Sequence, residues 1–394
     1  MFRERADGSS CRLCCEFVNL DRATQSAVRI RLEDPVAGAP GRLYIEIYAA
    51  DRPLRLDKIS WSTSTEPLRE VSLGVAICSY NRAASVLRTV EGLARVAPDA
   101  SISKIVVVNQ GEPLDSSRFR DLQKRQYRLL QVIEQRNEGG SGGFARAAME
   151  LLDAGECSHI LFLDDDVELD AGVVRTAVSF IRFANDSVVT GGQMVDVFHR
   201  NRIFDAGGRV QNNRMYANHR NVELAPSKSL AAFASVATCD FNGWWFTIFP
   251  AESFRLFGFS MPTFIHVDDV EYGIRLTEAG MRTVVLPPVS IWHEPYIAKR
   301  PCRFSYYDAR NWAIFASLYP HRLQPAKPRA VLRQFLGSDG VFTARSGGFP
   351  SRAGSNGRRR SRKTRPAQGV GGPAYGGRTF AAAGDAARLR QIPA

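Results

Sequence analysis

The stretch His159-Ile160-Leu161-Phe162-Leu163-Asp164-Asp165-Asp166-Val167 constrains this chain more than any other. An apolar run of strand length ends on three consecutive carboxylates. A strand buried on both faces that stops on such a cluster places it at the carboxyl edge of a sheet, where open α/β sheets bind ligands. Adjacent carboxylates repel one another and raise each other's pKa unless a cation neutralises them. Side chains alternate along extended backbone, so Asp164 and Asp166 point the same way and can share one hard divalent ion. The plainer alternative is an acidic turn in which an Asp caps the following helix.

Apolar runs and helical material alternate around this strand. Residues 73–78, 105–108, 129–133 and 160–163 read as strands, and 84–96 as an amphipathic helix. That order predicts an α/β fold with a mostly parallel sheet, helices on both faces, and the turns after the strands lining one crevice. Residues 1–70 carry short β-rich runs at 28–32, 43–48 and 59–63, which predict a small β-sandwich-like domain ahead of a main domain over 71–320. Residues 321–394 read as a short helical remnant and a tail. After Gly337 the chain has no Glu and no apolar period, a composition that cannot bury enough surface to fold. Its texture also resembles out-of-frame translation of a GC-rich gene, a hypothesis that fails if neither other reading frame continues an amphipathic helix.

The net charge of +12 first suggests an anionic partner. Residues 321–394, however, hold 15 Lys and Arg against 2 Asp, so the other 320 residues carry 37 basic and 38 acidic groups. The charge belongs to the tail, which argues against specific nucleic-acid binding by the folded part. Seven unevenly spread cysteines fit reduced thiols in the cytoplasm better than a disulfide framework. Cys11, Cys14 and Cys15 make half a zinc site with no second pair at suitable spacing. No apolar run reaches the length of a membrane span.

Six further segments bear chemistry. Ser79-Tyr80-Asn81-Arg82 supplies a guanidinium, Arg82, suited to a phosphate or a nucleobase carbonyl, and Gln110 can read a uracil edge; either loop can also be a plain turn. Asn137-Glu138-Gly139-Gly140-Ser141-Gly142-Gly143-Phe144 precedes a helix expected from Ala145, so backbone N–H groups at Gly139 and Gly140 can approach a diphosphate. Trp244 and Trp245 offer apolar faces for a sugar ring, or simply pack in the core. Asp268 and Asp269 open a helix either as caps or, for Asp269, as general base. His293 ends a short strand, and imidazole beside two carboxylates suits Mn²⁺ better than Mg²⁺.

Taken in series, residues 137–144, 162–167, Gly191-Gly192-Gln193-Met194, Asn242-Gly243-Trp244-Trp245, 268–273 and Trp292-His293 resemble the inverting family 2 glycosyltransferases of GT-A fold over roughly residues 40–320. The likeness is narrower to bacterial galactofuranosyltransferases that polymerise galactan, such as the mycobacterial polymerase. It implies that Asp164, Asp166 and His293 hold the divalent cation, with Asp165 on the nucleotide. Arg82, Gln110, Asn137, Gly139 and Gly140 would contact the UDP-sugar, Trp244, Trp245 and Asp268 the acceptor, and Asp269 would be the base. The implied activity is transfer of galactofuranose from UDP-galactofuranose to a glycan or lipid-linked glycan in cell-envelope polysaccharide synthesis. A rhamnosyl or glucosyl donor, or a non-catalytic glycan-binding protein, are the alternatives. A cytoplasmic protein is expected, with peripheral docking at the inner face of the membrane and homo-oligomerisation left open. Past Pro320 the chain departs from that family's helical continuation, which puts docking and processivity in doubt.

Overall fold

The computed structural model describes residues 1–5, 7–18, 28–31, 41–49, 55, 59–224, 236–298 and 305–323. The chain divides into two units, Met1–Val341 and Phe342–Ala394. All described residues lie in the first, so the expected tail disorder and most of the helical remnant fall outside them.

Three short strands open the chain: β1 (Phe2–Glu4), β2 (Ser10–Arg12) and β3 (Arg42–Tyr44), antiparallel in the order β2-β1-β3. This is the expected small antiparallel element, present as one layer among the described residues. Of the three runs expected to supply it, only 43–48 overlaps a strand; 28–31 and 59–63 are irregular.

The main sheet follows in the predicted alternation: β4 (Leu73–Ser79), α1 (Ala83–Val96), β5 (Ile102–Asn109), α2 (Ser117–Arg125), β6 (Leu130–Glu134), α3 (Gly139–Ala154), β7 (His159–Asp164). Strands β6-β5-β4-β7 lie side by side and all parallel. The pleat explains their near-continuous apolar sequences. Val75, Ile77, Ile105, Val107, Leu161 and Leu163 enter one core with α1 and α2. Ala76, Val106, Val108, Ile160 and Phe162 point the opposite way, against α3. Both faces are covered, so both registers of each strand must be apolar.

The next elements are β8 (Glu168–Leu169), α4 (Ala171–Phe183), β9 (Val189–Asp196), β10 (Arg202–Asp205), β11 (Gly208–Gln211), β12 (Arg214–Ala217), β13 (Val222–Glu223), β14 (Ala237–Cys239) and β15 (Thr247–Pro250). The chain then forms α5 (Ala251–Phe257), α6 (Asp268–Glu278), β16 (Thr283–His293) and α7 (Ser305–Leu318). Beyond β7 the sheet turns mixed, because β15 runs antiparallel between β7 and β9. Strand β16, expected as a short run, is eleven residues long and pairs in parallel with β9.

Strand order reverses at β4, since β5 lies on one side of it and β7 on the other. Cys78 pairs in register with Asp164 across that junction. The acid triplet therefore sits at a switch point, where the loops on either side diverge and leave a crevice.

Candidate active site

Three side chains converge at the crevice. Nε2 of His293 shares a hydrogen bond of 2.8 Å with Asp166 Oδ1 and lies 3.5 Å from Asp164 Oδ2. One donor atom from each residue lies within 4.8 Å of the others. Two ligands across a single ion are about 4.4 Å apart at bond lengths of about 2.2 Å, so the set fits a cation with little movement. Two carboxylate oxygens with one imidazole nitrogen is also a donor set suited to a divalent first-row metal. Strand ends do the positioning: Asp164 closes β7, and His293 closes β16.

Asp165 points the other way. Only 7% exposed, it accepts a 2.6 Å hydrogen bond from Ser79 Oγ, while its carbonyl accepts from Thr89 Oγ1. Burial pushes its carboxyl up to about 7, against the Ser79 hydrogen bond, and the charges of Asp166 and Asp164 add to the shift. Its contacts are those of an anchor that fixes the turn between its two neighbours. Arg82 donates to Asp166 Oδ2 at 2.7 Å, so the guanidinium borders the same cluster.

The glycine-rich segment differs from its expected form. The helix begins at Gly139, not near Ala145, so the glycines form its first turn. Close packing demands them. At Gly143 a Cβ would lie 2.2 Å from Cys78 Sγ, and at Gly139, where φ is +71°, it would lie 1.9 Å from the Phe264 carbonyl oxygen. Asn137 Oδ1 accepts from the Gly139 N–H at 2.9 Å. Gln110, 5% exposed, donates to the Gly139 carbonyl and accepts from the Glu138 N–H, so its amide holds this turn in place. Gly140 faces the crevice, its Cβ position 3.7 Å from Asp268 Oδ2.

Helix α6 brings Asp268 and Asp269 to the same opening. Burial pushes both carboxyls above the ordinary range, and the Asp164 charge adds to it; the Val270 N–H and His266 pull Asp269 back down. Asp205, at the end of β10, is also pushed up by burial, to about 7, and feels the Asp269 charge. The loop before α6 is strained. Phe264, His266 and Val267 have φ of 73°, 65° and 68°, a left-handed geometry costing about 1–3 kcal/mol for each such residue.

The two tryptophans part company. Trp244, 6% exposed, is walled in by Phe144 and Phe162, with ring centroids 5.2 and 5.0 Å away. Trp245 stays half-buried and donates from Nε1 to the Gly192 carbonyl at 3.2 Å. Asn242 donates to that same carbonyl, and a Cβ on Gly191 would meet its side chain at 2.6 Å. The 191–194 and 242–245 motifs thus pack on each other. Sequence reading gave no role to Ser79, Ser141 and His266, which lie within or beside the motifs, nor to Asp205, Asp308 and Asn311, which lie outside them.

A sheet of this topology, with two carboxylates and an imidazole at the switch point and Asp268 and Asp269 opposite, is the α/β architecture of the GT-A class expected from the sequence. Residues 71–311 match the family model "Glycosyltransferase like family 2", and the chain belongs to that family. It is 29% identical over 283 residues to galactofuranosyltransferase GlfT2 of Mycolicibacterium smegmatis, covering 68% of this chain and 44% of that one. The GlfT2 of Mycobacterium tuberculosis is 28% identical over 288 residues, covering 68% and 45%. The match thus spans less than half the length of these relatives. The solved structure of GalNAc-T7 with UDP, GalNAc and Mn²⁺ aligns over 68% of this chain and 54% of its own, at 14% identity and a TM-score of 0.47.

Proposed function

We propose that this enzyme transfers galactofuranose from UDP-galactofuranose to a glycan or lipid-linked glycan acceptor, with inversion. The observation that carries the reading is the convergence of Asp164, Asp166 and His293, one ligand atom of each within 4.8 Å of the others, close enough to Asp268 for the Asp164 charge to act on it. The choice of sugar is supported by the two relatives named galactofuranosyltransferase.

Asp164, Asp166 and His293 would hold a divalent cation, Mn²⁺ in preference to Mg²⁺, which when bound supplies charge neutralisation for the departing diphosphate. Arg82 lies beside Asp166 and adds a bidentate donor for phosphate oxygens. The first turn of α3, opened by Gly139 and Gly140, turns the positive end of a sixteen-residue helix and the Gly140 backbone toward the same anion, with the Gly139 N–H held by Asn137. Asn137 and Gln110 keep that turn in shape, and Asp165 keeps its two neighbours apart. Trp245 stacks on the acceptor sugar, with Trp244 as the wall behind it and Asp268 oriented to hold an acceptor hydroxyl. Asp269 takes the proton of the attacking hydroxyl as that oxygen displaces the diphosphate from the opposite face.

Peripheral docking on the inner face of the membrane and assembly with further copies belong to the same reading. No helix among the described residues is long and apolar enough to cross a membrane. The test is turnover of a nucleotide-sugar panel on a galactofuranosyl disaccharide acceptor. UDP-galactofuranose should be preferred, activity should vanish on chelation, and Mn²⁺ should restore it better than Mg²⁺. Preference for another donor would sink the assignment of the sugar.

A further inference from the structure

Helix α7 carries no strand of the sheet, yet its side chains close on the loop just ahead of Asp269. Asn311, 1% exposed, directs Nδ2 at three carbonyls: Thr263 at 3.2 Å, Ile265 at 2.6 Å and His266 at 2.9 Å. Arg310 also donates to the Thr263 carbonyl. Tyr307 stacks on Phe264 with centroids 4.9 Å apart. Asp308 takes His266 Nδ1 on one oxygen at 2.7 Å and the Tyr296 hydroxyl on the other at 2.9 Å. From the α3 side, Ser141 Oγ accepts from the Phe264 N–H at 2.9 Å.

Left-handed backbone at three bulky residues persists only where the surroundings over-determine it, and such strain collects where geometry serves function. One buried amide aimed at three carbonyls of the same turn is that over-determination. Substrate chemistry gives no reason for it, because Nδ2 is spent on backbone carbonyls and Oδ1 accepts from Arg310 Nε at 2.9 Å.

We infer that Asn311 is a positioning residue of the transferase: it locks the loop 263–267, with its left-handed residues Phe264, His266 and Val267, and so sets where Asp269 meets the acceptor hydroxyl, without touching substrate. The inference rests on Asp269 being the base.

Asn311→Asp keeps the shape and removes the donor. With UDP-galactofuranose and a galactofuranosyl disaccharide, kcat should fall about a hundredfold, the scale for a catalytic group displaced by about 1 Å. The donor KM, and the Kd of UDP with Mn²⁺, should stay within about twofold, the signature of an interaction felt only in the transition state. Retained kcat in the folded variant, or a kcat loss matched by weaker donor and UDP binding, would overturn the inference. Should Asn311→Asp not fold, Tyr307→Leu carries the test with a smaller kcat loss and the same split, and unchanged kcat there would overturn it. Asp269→Asn runs alongside. If it is inactive while Asn311→Asp is fully active, only this inference falls; if Asp269→Asn turns over normally, both fall.

Discussion

The two halves of the crevice are built in opposite ways. On one side, Asp164 and His293 stand at the ends of buried strands held by ladder pairing at their termini. On the other, Asp268 and Asp269 follow a left-handed turn that no sheet supports, held by side chains of α7 and α3. A strand end gives a fixed place for charged groups that must converge on one ion. A braced turn lets carboxylates sit in a buried setting that raises their proton affinity, which a base needs and a metal ligand does not.

The largest effect that could break this contrast is functional. Asp269→Asn should lower kcat by about 10²–10⁴-fold, the usual share of a general base, while UDP still binds in the presence of Mn²⁺. Asp164→Asn should instead abolish metal-dependent UDP binding. Calorimetry on both variants decides it, and equal losses of UDP binding would erase the division of labour.

Next in size is the strand side. Phe162 packs on Phe144, Trp244, Phe249 and Phe254 at centroid distances of 4.8 to 5.5 Å. Phe162→Ala should cost about 3–5 kcal/mol in denaturant unfolding. A loss below about 1 kcal/mol would mean that β7 is not the rigid member.

The smallest effect concerns pH. His159, at the far end of β7, is held down to about 4 by burial. A folded pKa below the unfolded value near 6.5 means the unfolded chain binds the extra proton first. The stability this group contributes is therefore complete above about pH 6.5 and is lost as pH falls toward 4, by on the order of 2–3 kcal/mol. His159→Gln should flatten that acid slope, and an unaltered slope would place the sensitivity in the acidic crevice instead.

Sequence showed the strand side well and the loop side poorly, for a physical reason. Strands β4, β5 and β7 are largely apolar in both registers, and the run into Asp164 announces its own end. Residues 263–267 carry neither Gly nor a turn dipeptide to mark left-handed backbone, and Asn311 sits in a helix of mixed aromatic and polar residues with little amphipathic period. What fixes that loop is tertiary, arriving from residues forty or more positions away. The glycines at 139–143 were legible as special, but their reason was half hidden: they admit Cys78 and Phe264 at close range. Trp244 and Trp245 look alike in sequence, and only the turn ahead of β15 separates them, sending Trp244 into one core and Trp245, half-buried, against the other.

Strand β16 has a further consequence. Its parallel pairing with β9 breaks register between Leu286 and Ser290, around Pro287 and Pro288, and resumes to bring His293 opposite Asp196. Two prolines cannot donate to a ladder, so the chain must step out and back at that point. The step acts as a spacer whose length decides which face the imidazole presents. Deleting Val289 would shift the final segment by one residue and turn every side chain in it over, carrying His293 out of reach of its two carboxylates with no change to the ligands themselves.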